Sequence, residues 1–420
     1  MQRTPQGLRL HIGLFGQRNV GKSSLLNAIT DQTVSIVSEI AGTTTDPVRK
    51  PMELRPLGPV LFVDTAGIDD EGALGSLRVD RTRKVLERTD LGVIVSEAGR
   101  WCEFEERLLA EMSGLGIPVI AVFNKRDLAR PSSALREGLE SNGLSVVETS
   151  APAGIGIPDL RQALLDKAPA DFVNQTTILA DLVGPGETTV LVTPIDKEAP
   201  RGRLIMPQVQ SIRDLLDHDR WCVVVQDAQL RDALRSLARP PRLVVTDSQA
   251  FERVAAIVPR EVLLTSFSIL FSRFKGDLTA QAQGAMSINS LRPGDRVLIA
   301  EACSHHPIED DIGRVQIPRK LEQQAGGKLE IDFVRGHDLP DDLSPYRLVI
   351  HCGACTFNRR EMLGRILRCQ QSGVPISNYG LTLAYTLGIL GRALEPFPGT
   401  LEHCPQATLK STTVCTCPAG

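Results

Sequence analysis

The chain has 420 residues, of which 42% are hydrophobic and 23% charged, and its formal net charge at pH 7 is −3. This composition is typical of a globular protein of two to four domains, and the lack of a Lys/Arg block argues against nucleic acid as the main partner. No run of about 18 apolar residues predicts a membrane span. The N-terminus also lacks the order of a secretory signal peptide, so we expect a cytoplasmic protein.

Strand-like and helix-like stretches alternate along most of the chain, which predicts parallel sheets and an α/β fold class. In residues 1–170 the strand-like runs are RLHIGLFG, PVLFVDTAG, LGVIVSEA and IPVIAVFNK. A connector over 169–185 leads to a second α/β pattern in 171–270, which has no catalytic constellation and suits self-association. The third region, 271–420, contains DRVLIAEA, KLEIDFVRG and YRLVIHCG. We therefore predict three α/β domains with these boundaries.

A nucleotide site is predicted by four motifs that occur in order. GQRNVGKS at 16–23 lies between a strand and a helix, and its glycines, lysine and serine suit phosphate and Mg²⁺ binding. DTAG at 64–67 supplies Asp64 for Mg²⁺ and the Gly67 amide for the γ-phosphate. NKRD at 124–127 fits guanine recognition through Asp127, braced by Asn124 and Lys125, and TSA at 149–151 offers a second guanine contact. This set predicts a GTPase.

Two features of these motifs resemble the potassium-dependent GTPases that include MnmE and FeoB. Asn19 stands where those enzymes use asparagine to hold K⁺. AGTTTDP at 41–47 is similar to their switch I motif, which implies that Thr44 closes on Mg²⁺ and the γ-phosphate. Ile68 stands where Ras-like enzymes keep a water-positioning glutamine, so we expect slow, K⁺-stimulated hydrolysis.

The predicted catalytic residues are therefore Lys22, Thr44, Asp64 and Gly67. The predicted GTP-binding residues are Gly16, Asn19, Gly21, Lys22, Ser23, Ser24, Asn124, Lys125, Asp127, Ser150 and Ala151. The predicted metal ligands here are Ser23, Thr44 and Asp64 for Mg²⁺ and Asn19 for K⁺.

Seven of the nine cysteines lie between Cys303 and Cys417, which indicates metal or redox chemistry in the last third of the chain. EACSHHP follows the strand RVLIA, and HCGAC follows the strand YRLVI. If both strands belong to one parallel sheet, Cys303, Cys352 and Cys355 converge at the carboxyl ends. A helix is predicted after the C-x-x-C pair, and its N-terminus should favour the thiolates.

Residue spacing alone leaves three kinds of cysteine site open. Zinc would use Cys303, His305, Cys352 and Cys355. A redox pair would use Cys352 and Cys355 only. An iron–sulfur cluster would use the three cysteines and leave one iron to an exchangeable ligand.

A GTPase domain followed by C-x-H (303–305) and H-C-x-x-C (351–355) resembles the HydF family of [FeFe]-hydrogenase maturation GTPases. The resemblance covers nearly the whole chain. It implies a [4Fe-4S] cluster on Cys303, Cys352 and Cys355 with an exchangeable fourth ligand, for which the candidates are Glu301, His305, His306, His351 and water. His351 could equally donate a supporting hydrogen bond.

The resemblance also implies the role and the partners. It implies a scaffold that receives a diiron precursor made with the maturases HydE and HydG and delivers it to apo-hydrogenase HydA. GTP hydrolysis would bias partner association or release. A homodimer is expected, and a tetramer is the alternative.

Two other functions stay open at this point. One is an MnmE-like RNA-modifying GTPase, against which the position of the GTPase motifs and the ending CTCPAG argue. The other is a zinc-stabilised regulatory GTPase. The tail cysteines, Cys404, Cys415 and Cys417, fit either a second metal trap or adventitious thiols, and Cys102 and Cys222 are predicted to be packing residues.

Overall fold

The computed structural model describes residues 4–30, 48–54, 57–65, 83–97, 99–173, 177–194, 204–302 and 311–405. The chain divides into two compact units, Met1–Thr176 and Thr177–Gly420. Within the described ranges no helix is both long and apolar enough to cross a membrane.

The first unit is built on a six-stranded sheet with the order β2-β3-β1-β4-β5-β6. Its strands are β1 (Leu10–Phe15), β2 (Val48–Leu54), β3 (Gly58–Asp64), β4 (Leu91–Glu97), β5 (Val119–Asn124) and β6 (Ser145–Glu148). Its helices are α1 (Lys22–Thr30), α2 (Glu103–Gly114), α3 (Ser133–Ser141), α4 (Ile157–Asp166) and α5 (Ala170–Val173). All neighbouring strands are parallel except β2, which runs antiparallel to β3.

Both faces of this sheet are buried, as a parallel sheet between helices requires. Along β3, Val60 and Phe62 belong to one hydrophobic core, whereas Leu61 and Val63 belong to the other. The four strands predicted here are confirmed. The sequence missed β2 and β6, because VRKPMEL and SVVE lack a continuous apolar run.

The second unit contains two four-stranded parallel sheets, with the orders β10-β9-β7-β8 and β12-β11-β13-β14. The strands are β7 (Thr188–Val192), β8 (Trp221–Val225), β9 (Leu243–Thr246), β10 (Leu263–Ser266), β11 (Arg296–Glu301), β12 (Glu330–Arg335), β13 (Leu348–His351) and β14 (Ile376–Asn378). The helices of the first sheet are α6 (Met206–Asp217), α7 (Leu230–Ser236) and α8 (Phe251–Ile257). Those that follow are α9 (Phe267–Lys275), α10 (Leu278–Met286), α11 (Ile317–Ala325), α12 (Arg359–Gln371), α13 (Tyr379–Thr386), α14 (Leu390–Leu394) and α15 (Pro398–Glu402).

One hydrophobic core joins these two sheets. It includes Val190 and Val244 from the first sheet and Ile299 from the second. Helix α9 begins directly after β10 and adds its apolar side chains to this core. The predicted domain boundary at residue 270 falls inside α9, and the three-domain division stays a prediction. The α/β fold class with parallel sheets is confirmed.

The two cysteines outside the last third differ in their surroundings. Cys222 is half-buried and packs against the core of the second unit, as predicted. The prediction for Cys102 is wrong, because this residue is exposed at the start of α2, where its backbone N–H donates to Glu105. Although Trp101 precedes Cys102 in the sequence, the residue is not buried.

Candidate nucleotide and cysteine sites

The loop between β1 and α1 has the geometry of a phosphate-binding loop. Gly16 and Gly21 have φ values of 145° and 93°. A Cβ on Gly16 would lie 2.1 Å from the carbonyl oxygen of Val95, so no larger residue fits there. Lys22 is buried, and its Nζ donates to the carbonyl of Gly16 and, at 3.0 Å, to that of Gln17. The ammonium group is thus held within the loop, where phosphate oxygens would enter.

The predicted magnesium ligands meet at the carboxyl end of β3. Ser23 Oγ donates to Asp64 Oδ2 at 2.9 Å, and Asp64 is buried. Parallel pairing of β1 with β3 sets Leu14 opposite Asp64 and so fixes this approach. A hydroxyl and a carboxylate are the hard oxygen ligands that Mg²⁺ prefers. Thr44, Gly67 and Ile68 lie outside the described residues.

Asn124 joins three loops of the predicted guanine site. Its Nδ2 donates to the carbonyl of Val20 at 2.9 Å, and its Oδ1 accepts from Thr149 Oγ1 at 3.1 Å and Ala151 N at 3.3 Å. Lys125 has a φ of 59°, and its Nζ lies 2.7 Å from Glu97 Oε1. These contacts hold the two guanine motifs against the phosphate loop.

Asp127 presents an exposed carboxylate beside this frame. Ser150 Oγ donates to Asp127 Oδ1 at 2.6 Å, and this hydrogen bond holds the pKa of Asp127 below its usual value. Ser150 therefore orients the carboxylate of Asp127 through a direct hydrogen bond. Asn19 is exposed on the phosphate loop with a φ of 64°, a conformation that asparagine tolerates. Ser24 is exposed in the first turn of α1.

The strands that precede the two cysteine motifs, β11 and β13, end at the same carboxyl edge of the last sheet. β11 and β13 are parallel neighbours, with Ala300 opposite His351, which meets the condition for the predicted convergence of the three cysteines. The strand order reverses between them, which makes this edge a topological switch point. Ala302 N donates to Cys352 Sγ at 3.0 Å, and Thr356 Oγ1 donates to the carbonyl of Ala302 at 3.4 Å. Cys303 and His305, next along the chain, lie outside the described residues.

The C-x-x-C loop turns through Ala354, which has a φ of 50°. Cys352 and Cys355 are half-buried and form no disulfide with another described residue. That the following helix favours the thiolates stays a prediction, and at Cys355 a larger effect opposes it. Burial raises the pKa of this thiol, and the opposing effect of Lys275 is smaller.

Lys275, which the sequence analysis missed, ends beneath this loop. The side chain is buried, and its Nζ donates to the carbonyl oxygens of Cys355 at 2.9 Å and Phe357 at 2.7 Å. Burial lowers the pKa of Lys275 to about 8, although the two neighbouring cysteines act in the opposite direction. No sequence signal marks this lysine, because its contacts are 79 to 82 residues away in the chain.

His351 is fully buried and uses both ring nitrogens. Arg365 Nη1 lies 2.9 Å from Nε2, and a guanidinium can only donate, so Nε2 accepts and Nδ1 donates to the carbonyl of Cys352 at 2.9 Å. Burial and the charge of Arg365 lower the pKa of His351 to about 3, which keeps the ring neutral. In this arrangement His351 stabilises Cys352 through the backbone carbonyl of that cysteine. Neither ring nitrogen has a lone pair left for a metal.

Glu301 ends β11 and is 2% exposed. Its Oε2 lies 2.9 Å from Arg314 Nη2 and 3.4 Å from Arg335 Nε, whereas Oε1 has no hydrogen-bond partner among the described residues. One carboxylate oxygen is therefore available to a ligand. In the part of the chain that the structure describes, no three His, Cys, Asp or Glu side chains form a metal-binding group.

The remaining cysteines differ in burial. Cys369 is buried in α12, and burial raises the pKa of its thiol to about 12. Cys404 is buried just after α15. Cys415 and Cys417 lie outside the described residues, so a joint role of the tail cysteines stays a prediction.

Three family models match this chain. The hydrogen maturase F dimerization domain matches residues 178–276, and the hydrogen maturase F tetramerization domain matches 279–396. The third, described as a 50S ribosome-binding GTPase, matches residues 11–125. The two maturase domains therefore fall on the two sheets of the second unit, and the GTPase match lies within the first.

Curated relatives are similar over the GTPase region. The tRNA modification GTPase MnmE of Chromobacterium violaceum is 35% identical over 158 residues, covering 37% of this chain and 34% of that protein. GTPase Der of Wolinella succinogenes is 39% identical over 132 residues, covering 30% and 27%. The chain thus spans about a third of the length of these relatives.

Solved structures of Era are also similar. One, in complex with MgGDPNP and part of 16S ribosomal RNA, is 29% identical and covers 38% of this chain and 56% of that chain, with a TM-score of 0.33. An Aquifex aeolicus Era variant bound to GDP and AlF4⁻ is 21% identical and covers 59% and 97%, also with a TM-score of 0.33. Likenesses this low add nothing to the family matches.

Proposed function

Because the chain belongs to the hydrogen maturase F family and is a GTPase, we propose that it serves as a scaffold for assembly of the [FeFe]-hydrogenase active site. In this role it holds a [4Fe-4S] cluster, receives a diiron precursor and delivers that precursor to apo-hydrogenase. The observation that carries the proposal is the hydrogen bond from Ala302 N to Cys352 Sγ. It connects the residue that precedes the first cysteine motif to a cysteine of the second motif.

The donor set at this edge fits an iron–sulfur cluster. Cys352 and Cys355 form no disulfide within the described part of the chain, and Cys303 is covalently next to Ala302. Such a cluster, when bound by three thiolates, supplies one iron with an exchangeable ligand. Among the candidates for that ligand, Glu301 keeps one carboxylate oxygen available. His351 instead donates to the backbone carbonyl of Cys352 and so stabilises this cysteine. His305 stays a candidate from the sequence.

The GTPase unit would control partner exchange. Lys22, Ser23 and Asp64 hold GTP and Mg²⁺, Asp127 selects guanine, and Thr44 and Gly67 would close on the γ-phosphate. Asn19 would hold K⁺, so hydrolysis is proposed to be slow and K⁺-stimulated. HydE and HydG would supply the precursor and HydA would accept it. A cytoplasmic location suits this role, because thiols are kept reduced there.

The dimerization and tetramerization domains make this an oligomer-forming chain. We propose that a homodimer forms through β8, an edge strand of its sheet. Trp221 and Val224 on this strand are 60% and 41% exposed, and Val209 and Leu216 on the adjoining helix α6 are exposed as well. An apolar edge strand is a template for pairing, and a second copy of the chain would cover it.

Anaerobic reconstitution with iron and sulfide tests the cluster. The wild type should bind about four irons per chain and show a [4Fe-4S] EPR signal after reduction. Cys352→Ala and Cys355→Ala should lose the signal, whereas Cys369→Ala, the buried control, should keep it. A change in the signal on adding imidazole would indicate an exchangeable ligand on one iron.

Other results would support the alternative functions. One tightly held zinc and no cluster would indicate a zinc-stabilised regulatory GTPase. Copurified tRNA, with no cluster formed, would favour the RNA-modifying function that the name of the MnmE relatives describes. Either outcome would contradict the scaffold proposal.

A further inference from the structure

The C-x-x-C loop is held by a charged group from a different element. Lys275 is the last residue of α9 and is 1% exposed. Besides Cys355 and Phe357, its Nζ approaches the carbonyl of Ala354 at 3.4 Å. An ammonium group has three N–H donors, so three carbonyls of one short loop can each accept one. A neutral hydrogen-bond donor would cost less free energy to bury than an ammonium group. Unlike such a donor, the lysine places a positive charge beside the two thiols.

Helix α9 is itself fixed to the same sheet edge. Arg359 Nη1 donates to the carbonyl of Phe274 at 2.7 Å, and Asn378 Nδ2 donates to that of Ser268 at 2.9 Å. The other end of the helix continues from β10 without an intervening residue. The position of Lys275 is thus set by elements of both sheets of the second unit.

We propose that Lys275 is a positioning residue for the cysteine site. It holds the loop of Cys352 and Cys355 in one shape, and its charge favours the reduced form of the metal group bound there. Reduction adds negative charge, which a buried cation nearby stabilises. This inference rests on the proposed cluster function.

The test compares Lys275→Met, which removes the charge and the donors, with Lys275→Arg, which keeps both. Lys328→Met is the control, because Lys328 is an exposed lysine of the same unit. In the metal-free protein, amide hydrogen exchange over residues 352–358 should become about tenfold faster in Lys275→Met. After reconstitution, the midpoint potential of this variant should shift to more negative values. Lys275→Arg should stay close to the wild type, and Lys328→Met should be unchanged.

Unchanged exchange and an unchanged potential in Lys275→Met would overturn the inference, and so would an arginine variant as impaired as the methionine variant. If Lys275→Met does not fold, as judged by circular dichroism, Lys275→Gln replaces it. If the wild type binds no cluster, the proposed function fails, whereas the exchange comparison still decides whether Lys275 holds the loop.

Discussion

At the scale of single residues, the structure shows how the GTPase motifs depend on one another. Asn124 belongs to the NKRD motif, but its amide contacts the phosphate loop through Val20 and the TSA motif through Ala151. Ser150 in turn orients the carboxylate of Asp127. The motifs are separate in sequence and form one hydrogen-bonded frame.

The role of Asp127 leads to a prediction about nucleotide choice. Asp127→Asn should weaken GTP binding by about 100- to 10,000-fold, because it removes two charge-assisted hydrogen bonds of about 1.5–3 kcal/mol each. It should strengthen binding of XTP, whose 2-oxo group accepts from the new amide. Titration with fluorescent GTP and XTP analogues measures both affinities.

Asp159→Asn is the matched control, because Asp159 is an exposed carboxylate in the first turn of α4. It should leave both affinities unchanged. Equal loss of GTP and XTP binding in Asp127→Asn would contradict a role in guanine selection.

At the scale of elements, close approach and capping decide how the helices sit on the last sheet. Helix α10 passes so near β14 that a Cβ on Gly284 would lie 1.9 Å from the carbonyl oxygen of Ile376. Asn378 ends β14, caps α13 by accepting from Leu381 N at 2.9 Å, and also holds α9. This short segment therefore organises three helices.

The glycine contact predicts opposite effects of two similar substitutions. Gly284→Ala should lower the free energy of unfolding by about 1–3 kcal/mol, because the added methyl group meets backbone atoms. Gly364→Ala should raise it by about 0.5–1 kcal/mol, since its Cβ would meet nothing within 4 Å and alanine favours the helix. Urea denaturation followed by circular dichroism measures both. A stabilising Gly284→Ala would refute the close approach of α10 to β14.

The double role of Asn378 can be divided by substitution. Asn378→Ala should lower the free energy of unfolding by about 1–3 kcal/mol, because it loses both the cap and the buried hydrogen bond to Ser268. Asn378→Ser keeps a capping oxygen but loses the amide donor, so its loss should be smaller. Equal losses in thermal or urea unfolding would mean that the cap contributes nothing here.

At the scale of the whole molecule, self-association is the property that the second unit adds. Its first sheet leaves β8 at an edge with apolar side chains exposed, as described above. A parallel sheet with helices on its faces can grow only at such an edge. Pairing of a second copy at β8, as proposed above, would displace no part of the chain that the structure describes.

Val224→Lys tests this interface. A charge on the paired edge should dissociate the homodimer at micromolar concentrations, because edge lysines oppose strand pairing. Analytical ultracentrifugation of the variant should give a monomer, or a smaller oligomer than the wild type. Leu128→Lys, at a residue that is 71% exposed in the first unit, should leave the oligomeric state unchanged. Dissociation by both variants, or by neither, would contradict an interface at β8.

Local sequence alone determined much of this protein. The apolar strands and the GTPase motifs followed from patterns in which neighbouring residues carry the information, whereas the adjacency of β11 and β13 was only assumed and came from the structure. The sequence analysis missed β14, because three residues are too few to show a period, and β10, because it runs directly into the apolar helix α9.

Only the tertiary structure decided the surroundings of the cysteines. Lys275 beneath the C-x-x-C loop, Arg365 on His351 and the two arginines on Glu301 all act across long separations in the chain. Burial determines which ring nitrogen or carboxylate oxygen is available to a ligand and which charge state of a group is favoured. Burial itself depends on how the sheets and helices pack. A sequence motif identifies the side chains of a site, whereas the tertiary fold determines which groups those side chains contact.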